Sequence, residues 1–94
     1  MSMIRVDTAA LRAQAAELRD QSQKLSGLAC QLENTRDQMM AVWVDSKASV
    51  FALDVGKDIA GLRYASERAK TFADICELVC SEYKTADNKI LDIL

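Results

Sequence analysis

Residues 7–43, DTAALRAQAAELRDQSQKLSGLACQLENTRDQMMAVW, decide the fold. Leu11, Ala15, Leu18, Ser22, Leu25, Ala29, Leu32, Arg36, Met39 and Trp43 follow one another in steps of four and three. That spacing puts them on one seam of a single long helix. Leu28 and Met40 widen the stripe; Ser22 and Arg36 interrupt it, Ser22 more mildly because it is small. The other faces carry Arg12, Glu17, Asp20, Lys24, Glu33 and Asp37, as solvated helix faces do. Asp7 reads as the N-cap, its carboxylate able to accept from the orphan N–H groups of the first turn. Val6 and Leu11 then stand where a hydrophobic staple forms.

The phase is lost around Val44-Asp45-Ser46-Lys47, where Asp and Ser can end one helix and cap the next and a turn is expected, and it returns in the second half. Val55, Ile59, Leu62, Ser66, Ala69, Ala73, Cys76, Cys80, Tyr83, Asp87, Ile90 and Leu94 form the second seam, flanked by Phe51, Phe72, Ile75 and Val79. Gly56 and Gly61 weaken that helix, and a break between Asp54 and Asp58 is compatible with the sequence. The reading is an all-α chain: a single helical-hairpin domain with helix 1 over about 7–43, a turn over about 44–47 and helix 2 over about 48–92. With the turn centred near residue 46, facing positions have numbers that add to about 92. Two helices cannot cover each other's wide apolar stripes. Pairing with a second hairpin into a four-helix bundle closes such a core, as a homodimer or equally as a heterodimer. Leu18, Leu25, Leu32, Ile59, Leu62, Phe72 and Val79 are the candidate partner interface.

Composition narrows the chemistry. The 94 residues carry a net charge of −2, no histidine and no proline. The basic residues are scattered among acidic ones, so no face suits a phosphate backbone, and nucleic acid is not an expected partner. No apolar run approaches the ~20 residues of a membrane span, and the first residues lack the apolar core of a signal peptide. Without histidine the commonest general base and neutral metal ligand are missing. The carboxylates look like solvent faces with no cleft to raise a pKa, so an enzyme is not expected and no cofactor is implied. Cys30 stands far along the hairpin from Cys76 and Cys80, on the order of 20 Å or more at ~1.5 Å per residue, and cannot meet them within one hairpin. Two thiols at i and i+4 make neither a good disulfide nor a zinc site, so the cysteines read as small buried apolar residues; an intermolecular disulfide stays open.

Two features remain. Trp43, the only tryptophan, stands at the turn, where it can pack across the hairpin end or enter a partner's groove. Tyr83 and Asp87 place an aromatic and a carboxylate one turn apart on one helix face, with Asp87 at a seam position. Taken with the Val6-Asp7-x-x-x-Leu11 start, these residues resemble the WXG-type family of small helical-hairpin proteins of type VII secretion. In that family a long helix ends at a Trp-x-Gly turn and a Tyr-x-x-x-Asp or Glu motif lies near the C-terminus. The resemblance covers essentially the whole chain and extends to Phe51, similar to an aromatic often seen on the second helix.

The motif's glycine is Asp45 here, so the chain looks like a divergent relative with Trp-Val-Asp at the turn. Glycine would ease a left-handed backbone, which Asp accepts less readily. The resemblance implies a non-catalytic export substrate or partner, made in the cytoplasm and secreted without a signal peptide. It further implies pairing with another hairpin or with the helical N-terminal region of a larger toxin. The turn of one subunit, Trp43 and Asp45, would then lie beside Tyr83 and Asp87 of the other, presented to the export ATPase. A cytosolic adaptor bundle unrelated to secretion is the alternative reading.

Overall fold

In a computed structural model, the chain is an antiparallel hairpin of two long helices. The structure describes the backbone over residues 6–93 and the side chains over residues 6–83. Helix α1 spans Thr8–Val42 and α2 spans Ser46–Ile93, joined by Trp43, Val44 and Asp45. The molecule is a rod measuring 74 × 22 × 15 Å. Asp7 caps α1, its Oδ1 accepting from the Ala10 N–H at 3.0 Å. No break occurs between Asp54 and Asp58; α2 runs through both glycines. At Gly56 an added Cβ would lie 3.6 Å from Arg36 Nη1, an ordinary contact distance, so the one long cation of the α1 seam packs alongside α2 there.

The seam positions read from the spacing do face the partner helix, but the smallest of them lie deepest. Ala15, Ser22 and Ala29 on α1 are buried, as are Ala48, Ile59, Ser66, Ala73 and Cys80 on α2. The larger Leu18, Leu25, Leu32 and Leu62 are only half-buried. Small side chains every seventh residue let two helices approach closely, and larger ones are then displaced to the flanks.

At mid-length the contact becomes polar. Ser22 Oγ–H donates to the Ser66 carbonyl at 2.8 Å, Ser66 Oγ–H donates to the Ser22 carbonyl at 2.7 Å, and the two hydroxyls lie 3.0 Å apart. Each hydroxyl is satisfied by the opposite backbone, so burial leaves neither orphaned. Farther toward the open end the Cys80 thiol donates to the Thr8 carbonyl at 3.5 Å. Both contacts put the facing residues about one helical turn away from the register expected for a turn centred at residue 46. The cause lies in the turn: α2 starts at Ser46, directly after Asp45, so the reversal is centred on Val44.

Removing one hydroxyl of the serine pair takes away two of the three polar contacts and leaves the other hydroxyl with one fewer partner. Ser22→Ala is therefore expected to destabilise the hairpin by about 1–2 kcal/mol in urea unfolding. The double variant Ser22→Ala/Ser66→Ala should cost less than the sum of the two single changes, since no hydroxyl is then left behind.

Candidate interaction surface

The buried ladders divide the hairpin into two unlike sides. On α1, the residues three places after each buried small residue are Leu18, Leu25 and Leu32, and those four places after are Arg19, Ser26 and Glu33. On α2 the same offsets from Ile59, Ser66 and Ala73 give Leu62, Ala69 and Cys76 on one flank and Arg63, Lys70 and Glu77 on the other. A step of three turns the side chain one way from the seam and a step of four turns it the other way. In an antiparallel pair, equal turns on the two helices lead to the same side of the hairpin.

The ion pairs bear this out. Arg19 forks onto Glu77, with Nε donating to Oε1 at 2.9 Å and Nη2 donating to Oε2 at 2.6 Å, and Nη2 also reaches Asp74 at 2.6 Å. Arg63 meets Glu33 at 2.7 Å. These bridges tie α1 to α2 along one side only. The Arg19 guanidinium holds the Glu77 carboxyl below the usual carboxylate range, and Glu77 followed by Asp74 pushes Arg19 upward.

The opposite side carries leucines. Leu18, Leu25, Leu32, Leu62 and Val79 are half-buried there, and Leu28 and Phe72 stand further out, 50% and 44% exposed. Six of the seven residues expected at a partner interface thus share this side or its edge. Ile59 does not: it is 2% exposed and belongs to the contact between α1 and α2. The apolar shallow groove between Leu25 and Leu28 is edged by Gln21 and Lys24. Such a surface, apolar along its centre and polar at its rim, suits another helix.

The turn is a second built feature. The Trp43 indole N–H donates to Asp45 Oδ2 at 3.0 Å, while Asp45 Oδ1 accepts from the backbone N–H groups of Lys47 at 2.8 Å and Ala48 at 3.0 Å. Asp45 is therefore the N-cap of α2 and the anchor of the indole together. No described residue has a positive φ, so the turn does not use the left-handed backbone that a glycine would ease. The Trp43 and Phe51 rings lie 5.5 Å apart, tilted by 49°. Val42 and Val44, on either side of the tryptophan, are 84% and 90% exposed. The indole hydrogen bond, followed by that from Ala48, holds the Asp45 carboxyl below its ordinary value.

Tyr83 is half-buried on α2, on the order of 55 Å along the helix from its start at ~1.5 Å per residue, so one hairpin cannot bring it to Trp43. The side chain of Asp87 lies outside the described residues. The cysteines differ from the expectation of three buried thiols: Cys80 is buried and Cys76 half-buried, whereas Cys30 is exposed. Cys30 follows Ala29 directly in the helix and is carried beyond the seam onto the surface. Among the described residues no three potential metal ligands cluster, and no helix is long and apolar enough to cross a membrane. No family model, curated protein or solved structure matches this chain.

Sequence reasoning missed the cross-helix ion pairs, the serine pair and the indole hydrogen bond to Asp45. Capping of the second helix from the Asp-Ser of the turn was expected, and Asp45 supplies it.

Asp45 and Glu77 both have folded-state pKa values lowered below the unfolded ones. The stability they contribute is present above about pH 4 and lost as pH falls through the lowered values. The melting temperature should therefore drop on acidification through that range. In Asp45→Asn, which keeps a capping oxygen without a titrating carboxylate, the drop should be shallower, as circular dichroism melts can show.

Proposed function

We propose that this protein is a small non-catalytic substrate or export partner of a bacterial type VII secretion system, acting by helix–helix binding. The observation that carries the binding part is the one-sided leucine flank: Leu18, Leu25, Leu28 and Leu32 with Leu62, Phe72 and Val79, facing away from the side bridged by ions. A hairpin built this way has its own small-residue contact and a spare apolar side for a second hairpin or for the helical N-terminal region of a larger toxin. Four helices then enclose one core.

The export part rests on the resemblance to WXG-type proteins. It is supported by Trp43 at the helix end, locked to Asp45, and by the Tyr83-x-x-x-Asp87 spacing near the other end of the rod. In a complex with the hairpins antiparallel, the turn of one subunit comes beside the open end of the other. Tyr83 would then serve as an aromatic anchor and Asp87 as a charged element read by a basic surface of the export ATPase. Secretion would take the protein from the cytoplasm to the cell exterior.

The two parts have separate tests. Leu25→Asp together with Leu32→Asp should weaken binding to a co-encoded helical protein by about a hundredfold or more, since two leucines are denied burial. Tyr83→Ala and Asp87→Ala should leave that binding intact and abolish appearance of the protein in the medium of a type VII-competent host. Binding that survives the leucine changes removes the partner surface. Secretion indifferent to Tyr83 and Asp87, with binding retained, points instead to a cytosolic adaptor.

A further inference from the structure

The leucine flank leaves the back of α2 uncovered, and that surface carries its own pattern. Gly61, Tyr64, Arg68, Thr71, Ile75 and Leu78 alternate in steps of three and four, and every one is exposed. Lys57 and Glu82 extend the same alternation at the two ends and are exposed as well. Tyr64 is 65% and Leu78 60% exposed, among the most open large side chains of the helix. The Arg68 guanidinium lies over both neighbouring rings, 6.0 Å from the centre of Tyr64 and 4.9 Å from that of Phe72. At Gly61 an added Cβ would meet nothing within 4 Å, so the hairpin itself supplies no reason for this helix-weakening residue.

We propose that this back seam of α2 binds the same seam of a second copy, antiparallel, about a two-fold axis near residues 69 and 70. The face is self-complementary. A two-fold contact requires each residue to suit the one it meets, because every pairing occurs twice. Placed about this axis, Gly61 meets Leu78, a hole facing a knob, and Tyr64 meets Ile75, a ring on a branched aliphatic. Arg68 meets Thr71 at the centre, its guanidinium lying over the Tyr64 and Phe72 rings of its own helix. At the ends Lys57 meets Glu82, opposite charges at both extremities of the contact. The alternation of four and three is the one that seats knobs in holes along two helices. The contact occupies the side of α2 facing away from α1 and adjoins the leucine flank at Phe72, over which Arg68 lies. A pair of hairpins joined here keeps both leucine flanks open, and the assembly is bivalent toward its other partner.

The end charges give a test specific to register. Sedimentation equilibrium of the chain, with circular dichroism confirming helix content, is expected to show a reversible dimer. Lys57→Glu and Glu82→Lys should each weaken it about tenfold, and the double variant Lys57→Glu/Glu82→Lys should restore it. Tyr64→Asp should abolish it, whereas Gln31→Asp, on the exposed outer face of α1, should leave it unchanged. A chain that stays monomeric at high concentration overturns the proposal. So does a dimer in which the charge swap gives no rescue, or one lost with Leu25→Asp and kept with Tyr64→Asp.

Discussion

The structure depends on how closely two helices can approach. Ala15, Ser22 and Ala29 on one side and Ser66 and Ala73 on the other are too small to hold the axes apart. The carbonyls at Ser22 and Ser66 come within reach of the opposite hydroxyls because of that closeness. The serine pair then fixes the register: a slip of one turn would set Ser22 against Lys70 and strand a buried hydroxyl. A contact of this kind buries little apolar area per residue, so the capped turn and the ion-paired side contribute to holding the rod together.

The same closeness produces the asymmetry that function can use. When small residues fill the seam, leucines three positions further on are turned out to one side, and charged residues four positions further on to the other. The charged side closes on itself through Arg19 with Asp74 and Glu77, and through Arg63 with Glu33. Among the described residues, no ion pair crosses the leucine side. On the proposed reading, binding and folding draw on different residues, and a partner would dock without opening the core.

Much of this was legible before the structure. The steps of four and three gave two helices, the loss of phase at Val44 gave the reversal, and Asp7 gave the first cap. The depth order was not legible, because apolarity ranks Leu18 above Ala15, whereas close packing buries the alanine and turns the leucine outward. The register was off by one turn because it hinged on where α2 begins, and that is decided by Asp45 accepting from Lys47 and Ala48. Ile59, a seam position also expected at the partner interface, lies instead inside the contact between the two helices. The exchange of the motif's glycine for Asp45 looked like a defect of the turn, and the structure gives it two tasks there.

In this hairpin the leucines lie toward the outside and the small residues form the inside. The most direct measurement is methyl relaxation by a water-soluble paramagnetic agent, on the chain at a dilution where sedimentation shows a single hairpin. Strong relaxation is expected of the Leu25, Leu28 and Leu32 methyls, with Ile59 and the Ala15 and Ala29 methyls protected. Leucine methyls as well protected as those of Ile59 would mean that the leucines form the hairpin's own core, and would contradict this arrangement.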